Sequence, residues 1–582
     1  MNTPFTPRTL GLSLSLLALA ASPLSAQLAP GDDMLGEVCA PTFEAAPLRL
    51  LRQLSLDVRG RIPSIEEYQQ LQSAADPDAE FARMRTAMFA SPEFSRTTME
   101  YHRGLLWTSF DRSLVSLEGG DRRIGRDRGR DIWFVNNRKA RYRGNQAFLC
   151  DDVPHTSFDA DGRPLPMRQF DDGRCTNSGR DGVCDIDGTV MVAPYWDPEN
   201  PIKVCAFDAN DVLTEPDGDA CSFENGSRFC GCGPNLQHCI PGFSGNAAGD
   251  SYARALQAGF TEEPLRLIES IVSEGESYLE TFRGASTYVN GPIAHYYRYN
   301  SGKNLGQAQT TTQVAYDVRI PNSSLAGLSA TDTTTWRRIE RGPEHAGVLT
   351  TPGYLVRFAS DRARANRFYT AFYCDPFVPQ SNGIPAEEEN PPQNLRERDG
   401  CADCHQELEP AAAHWGRWRN GGSIGFFDPL DIAFREPYEP CNCDDRGNRI
   451  NMGGRCSNNF CNAYFVTAAN TNGEELELHR GRPLAALWLE EDDDRSDFEN
   501  VEFGPAALVD TPNEVRRVAE CAVRQLAEHL YGRTVDAGDF MWLAEQASAF
   551  DGDGDAENTD GAFDWKALYE RLVIDPRYLG TR

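Results

Sequence analysis

The sequence predicts a mainly α fold interrupted by two irregular, disulfide-rich insertions. Three observations predict it. Apolar residues recur at helical spacing near both ends and in the middle of the chain. That periodicity vanishes between about 146 and 250, where Asp, Gly, Asn and Pro dominate. Most of the 17 cysteines fall in two clusters, eight within 146–250 and four within 436–510. With 582 residues the chain can build several packed layers.

The first element is an address. Arg8 supplies a positive charge, Leu10 to Ala21 is a short apolar run, and Leu24-Ser25-Ala26 offers a small residue for cleavage. Residues 1–26 therefore read as a signal peptide. The run is too short for a bilayer, which needs roughly 20 apolar residues. No later stretch reaches that length, so no transmembrane segment is expected. The mature chain is expected in the periplasm or secreted, where cysteines pair.

Residues 27–145 read as an N-terminal helical domain. Ser64-Ile65-Glu66-Glu67 after Pro63 is a capping box, followed by Tyr68, Leu71, Phe81, Met84 and Met88 at helical spacing. Residues 146–250 form the first cysteine-rich insertion, carrying Cys150, Cys175, Cys184, Cys205, Cys221, Cys230, Cys232 and Cys239. Eight cysteines permit 105 pairings, so none is assigned. Cys230, Cys232, His238 and Cys239 raise zinc as a rival, which an oxidising compartment disfavours.

Residues 251–435 are expected to be the functional core. Helix resumes at Thr261 with Leu265, Leu267, Ile268, Ile271 and Val272 on one stripe, and again after Pro352. Thr310-Thr311-Thr312 suggests strand or loop, and the Pro- and Glu-rich stretch 379–396 a loop. Residues 436–510 hold Cys441, Cys443, Cys456 and Cys461 and the acidic run Glu490–Asp494. Residues 511–582 read as a C-terminal helical domain, with Asn513 capping one helix, Gly532 closing it, and Asp564 capping another.

The chemistry lies at Cys401-Ala402-Asp403-Cys404-His405. Cysteines spaced i, i+3 sit one helical turn apart, where each can form a thioether with a haem vinyl group. The adjacent histidine is then held beneath the iron as proximal ligand. A thioredoxin-like pair would need a preceding βαβ pattern, and a zinc site a second CxxC or HxxxH; neither is present. One covalent haem c, on Cys401, Cys404 and His405, inside a helical cytochrome c-like core, is the expectation. Trp415, Arg417, Trp418 and Arg419 offer walls and propionate partners, or ordinary packing. Removing Cys401 and Cys404 from the count leaves an odd fifteen cysteines.

Several segments together resemble the planctomycete-type cytochrome c family. They are 48–71 (LRLLRQLSLDVRGRIPSIEEYQQL), Thr287 to Pro292 (TYVNGP), 345–354 (HAGVLTTPGY), 400–418 (GCADCHQELEPAAAHWGRW) and 519–533 (AECAVRQLAEHLYGR). They total 74 residues, spread along the chain from 48 to 533, and leave out both cysteine-rich insertions. The resemblance implies a mostly helical exported protein around one covalent haem, and it supplies no substrate. Leu408 and Glu409 stand where many relatives carry Met and Asp.

The second axial position decides function, because an open one permits small-molecule chemistry and a filled one favours electron transfer. His345, in a family-like motif, is the first candidate and Met452 the alternative; Met541 and His479 are weaker. His414 lies too near His405 to cross the haem. Asp551-Gly552-Asp553-Gly554-Asp555 resembles the start of a calcium loop; Ala562 stands where an EF-hand needs Glu, so it is no EF-hand, and calcium stays a minor candidate cofactor there. A formal charge of -30 excludes nucleic acid as a partner and favours a basic redox partner protein. The expected activity is electron transfer. Its rivals are a haem enzyme with an open axial site and a disulfide-rich binding protein.

Overall fold

The computed structural model describes residues 47–109, 123–127, 129–135, 150–170, 183–212, 231–237, 239–241, 248–300, 322–325, 327–342, 345–377, 394–416, 418, 437–451, 453–456, 461–462, 465–484, 487, 501–552 and 562–580. The signal peptide, Cys39, the threonine run, Met452, the acidic run and Asp553 to Asp555 lie outside them, as does most of the 379–396 loop.

Four helices open the chain: α1 (Pro47–Arg59), α2 (Ile65–Ser73), α3 (Pro77–Phe89) and α4 (Pro92–Leu106). Ser64 caps α2 as expected. Its hydroxyl accepts from the Glu67 N–H at 3.2 Å, and the Glu67 carboxylate accepts from the Ser64 N–H at 2.7 Å. Proline begins α3 and α4, where its missing N–H costs nothing. Leu51, Leu54 and Val58 of α1 and Met84 and Met88 of α3 turn into the core.

The first insertion is more ordered than expected, and its sheet begins earlier, at Arg123 rather than near 146. Strands β1 (Arg123–Asp127), β2 (Ile132–Val135), β3 (Met167–Phe170), β4 (Val183–Ile186), β5 (Thr189–Val192), β6 (Ile202–Cys205) and β7 (Ile240–Pro241) cross it. Five of them form one sheet in the order β5-β6-β2-β1-β7, while β3 and β4 pair separately. Runs of two to five residues are too short for alternation to register, which is why the region reads as loop. Ile124, Val135, Val204, Leu236 and the Cys232–Cys239 disulfide make a small core of their own. Cys150–Cys205 ties the end of β6 to the segment before it. Tyr195 joins the insertion to the helical core through the His295 Nδ1 at 3.2 Å, and Arg298 lies 3.9 Å over its ring.

The centre is α5 (Ala248–Glu274), which starts well before Thr261 and runs through Pro264. Around it lie α6 (Glu280–Arg283), the pair β8 (Ser286–Val289) and β9 (Arg337–Glu340), α7 (Gly291–Asn300), α8 (Pro352–Arg357) and α9 (Asp361–Phe368). Pro264 has no N–H, so the Phe260 carbonyl lacks its helical donor. The backbone of Gly353 closes over that carbonyl so tightly that a Cβ there would sit 1.9 Å from it.

Beyond α10 (Ala402–Ala413) come α11 (Gly473–His479), α12 (Pro512–Tyr531), α13 (Phe540–Asp551), α14 (Trp565–Ile574) and α15 (Pro576–Gly580). The second cysteine cluster is stapled as Cys441–Cys461 and Cys443–Cys456. The cap of α12 is Thr511, not Asn513. Pro512 takes the first helical position, and Thr511 and Glu514 form a capping box. Gly532 closes that helix at φ 64°, and Asp564 caps α14, both as expected. A fifth disulfide, Cys374–Cys521, lies outside both clusters and ties α12 to the turn after α9.

The N- and C-terminal helices are not separate domains. The Tyr569 and Tyr578 hydroxyls donate to the Asp57 carbonyl and carboxylate at 2.8 and 2.9 Å, and residues 45–582 form one compact unit. The chain is mainly helical, and no described helix is long and apolar enough to cross a membrane.

One buried charge carries a prediction. Glu263 of α5 is fully buried; the Thr287 hydroxyl donates to one carboxyl oxygen at 2.7 Å and the other has no hydrogen-bond partner. Burial pushes its pKa from 4.5 to about 7, against the pull of Thr287 and Arg341. The folded state then holds more protons than the unfolded one in that window. Its stabilising contribution is complete below 4.5 and fades as pH rises to 7, by ~3 kcal/mol. Glu263→Gln is expected to gain stability relative to the parent by about that amount from pH 4.5 to 7. Urea unfolding at both pH values measures it, and a constant difference would refute the shift.

Candidate functional site

Helix α10 begins at the predicted motif. The Cys401 carbonyl accepts from the N–H groups of Cys404 and His405 at 3.2 and 3.0 Å. That single turn sets the two thiols on one rung with the imidazole beside them. Gly400 precedes it at φ 74°, a conformation suited to glycine.

Both thiols are partly accessible, and among the described residues they are the cysteines that form no disulfide. The other described cysteine side chains pair at 150–205, 232–239, 374–521, 441–461 and 443–456. The Cys232–Cys239 bond removes two thiolates from the zinc rival. Cys150, Asp187 and Cys205 gather closely, but their thiols are bonded to one another and cannot ligate a metal.

The imidazole is held from behind. His405 Nδ1 lies 2.6 Å from Glu409 Oε1, and Arg362 Nε of α9 donates to the same oxygen at 2.8 Å. Burial alone would raise the Glu409 pKa, but His405 and Arg362 outweigh it and hold the carboxyl below its usual value. An ionised carboxylate only accepts, so Nδ1 is the donor of this bond and Nε2 is the ring nitrogen left to face a ligand. Two free thiols and one oriented imidazole on a single turn are the donor set that covalent haem needs. Sequence reading had missed Glu409 and Arg362; the four-residue step from His405 to Glu409 along a helix was the available signal.

The opposite face of α10 is structural. Leu408, Ala411 and Ala412 enter the core. Trp415 is fully buried, donates through Nε1 to the Leu349 carbonyl at 3.0 Å and stacks on Tyr354. It serves packing there. Trp418 is buried as well, with the Arg341 guanidinium 5.5 Å from its ring, while Arg417 and Arg419 lie outside the described residues.

The other candidates are scattered. His345 is buried at the turn before α8, with Nδ1 against the Thr350 hydroxyl and Nε2 lacking a well-formed partner. Burial and the nearby Arg341 push its pKa well below the usual value, so it stays neutral. The turn that holds it meets α10 through Trp415, ten residues or roughly 15 Å along the helix from His405. No hydrogen bond or ion pair among the described residues joins the two histidines. His414 donates through Nδ1 to the Gly504 carbonyl, and burial lowers its pKa to about 4. Met541 is 85% exposed on α13, and His479 ends α11. Asp551, at the head of the would-be calcium loop, pairs with Arg516 at 2.9 Å.

The chain matches no family model, no curated protein and no solved structure. The residues of the site therefore carry the functional reading by themselves.

Proposed function

We propose that the chain is an exported monohaem c-type cytochrome that transfers electrons. One observation carries the reading: the two cysteines that form no disulfide among the described residues share a helical turn with a histidine whose Nδ1 is bonded to a carboxylate. Haem bound here supplies a one-electron ferric/ferrous couple. Cys401 and Cys404 would anchor it, His405 would hold its iron, and Glu409 would keep the His405 ring oriented for that role. Five disulfides among the described residues agree with an oxidising compartment, and the net charge of -30 favours a basic redox partner. The resemblance of five segments to planctomycete-type cytochromes c supports the same reading. His345 and Met452 are the ligands we propose to test for the second axial position.

The test is an absorption spectrum of protein made in a host with periplasmic haem-attachment machinery, recorded oxidised and reduced after acid-acetone extraction. Retained haem with low-spin bands is expected. In that case His345→Ala and Met452→Ala identify the second ligand by which of them turns the ferric form high-spin. Retained haem that is high-spin in the parent and shifts with peroxide or carbon monoxide favours an enzyme with an open axial site. Absence of retained haem would sink the proposal.

A further inference from the structure

The ion pair behind His405 joins two helices at one carboxylate oxygen. Glu409 Oε1 receives two donors at once, His405 Nδ1 at 2.6 Å and Arg362 Nε at 2.8 Å. The glutamate side chain is only 11% exposed, so water screens this contact weakly. Helical spacing fixes the His405–Glu409 step, while Arg362 arrives from α9 with α9 packed on α10. A carboxylate accepting an imidazole N–H makes a charge-assisted bond, stronger than one to a carbonyl or water. It raises the basicity of the other ring nitrogen.

We infer that Glu409 is a positioning residue that orients His405 and increases its electron donation, while Arg362 limits that donation by sharing the same carboxylate oxygen. This rests on the haem reading above. The pair is thereby a tuning device with two opposed handles. Neutralising Glu409 weakens donation to iron and favours the ferrous form. Neutralising Arg362 leaves the full carboxylate charge on the Nδ1 proton and favours the ferric form. Removing either charge also acts on the iron through space with the same signs, so the His405 ring-proton resonances are recorded as well and are expected to move in opposite directions in the two variants.

The experiment measures the reduction potential of the haem-loaded parent, Glu409→Gln and Arg362→Gln, with retained haem and thermal unfolding recorded for each. Glu409→Gln is expected to move the ferric/ferrous equilibrium about tenfold toward ferrous, a rise of about 59 mV for one electron. Arg362→Gln is expected to move it the other way. Unchanged potentials in both, or shifts of one sign in both, overturn the inference while leaving the haem reading intact. If Glu409→Gln does not retain haem, Glu409→Asp is measured in its place. It keeps the charge one methylene short and gives a smaller rise, and an unchanged potential there overturns the inference. A parent without haem removes the underlying reading instead.

Discussion

Replacing Cys401 and Cys404 together by serine is expected to abolish acid-stable haem while leaving the fold unchanged. The two thiols make no disulfide and are partly accessible, so their loss opens no cavity and breaks no cross-link. Each single replacement should leave one thioether. The control is Cys374→Ser with Cys521→Ser, which removes a bond closing 147 residues of sequence. On the chain-entropy account such a loop contributes about 4–5 kcal/mol, although strain can reduce it. The two double variants should thus fail in opposite ways: one folded without retained haem, the other able to attach haem yet melting early. Extraction in acid-acetone and a thermal melt distinguish them. Acid-stable haem in the Cys401/Cys404 double variant would contradict the attachment site.

The second large effect is expected at two glycines. A Cβ on Gly291 would meet the Ser329 carbonyl at 1.7 Å and the Asp332 carbonyl at 2.7 Å; on Gly353 it would meet the Phe260 carbonyl at 1.9 Å. These are backbone atoms within a packed interior, so no rotamer change relieves the clash. Gly291→Ala and Gly353→Ala are each expected to destabilise by about 3 kcal/mol or more, at or beyond the usual upper end for overpacking. Gly104 of α4 has no atom within 4 Å of its would-be Cβ. There Gly104→Ala should be neutral or stabilising by up to ~1 kcal/mol, from helix propensity. Chemical denaturation of the three variants measures the contrast. Equal effects at all three positions would mean that glycine flexibility, rather than close approach, sets their cost.

Both glycines fall in segments that carry the family resemblance, TYVNGP and HAGVLTTPGY. Sequence alone marks them as motif. The structure supplies a physical reason: at Gly353 the chain crosses a helix where Pro264 has left a carbonyl without its donor. Such a match between a proline in one segment and a glycine 89 residues later has no local signature.

What was legible in the sequence is what a few neighbouring residues decide. The Cys401–His405 turn, the Ser64–Glu67 box, the Gly532 stop and the Asp564 cap are settled within one or two helical turns, since hydrogen bonds from i to i+4 create them. The cap at Thr511 was misplaced by two residues because Asn513 is also a capping type, and only Pro512 at the first helical position excludes it. The sheet of the first insertion escaped notice because its strands are short and its order, β5-β6-β2-β1-β7, joins pieces from 123 to 241.

Tertiary structure decided the rest. It brought Arg362 to Glu409 behind His405, set the Leu349 carbonyl against Trp415 just past the end of the same helix, joined Cys374 to Cys521, and merged the terminal helices into one core. Each of these depends on which faces pack together, a choice made by burial of apolar surface over the whole chain. The sequence by itself determined where haem chemistry is to be sought; packing determined how the histidine at its centre is held.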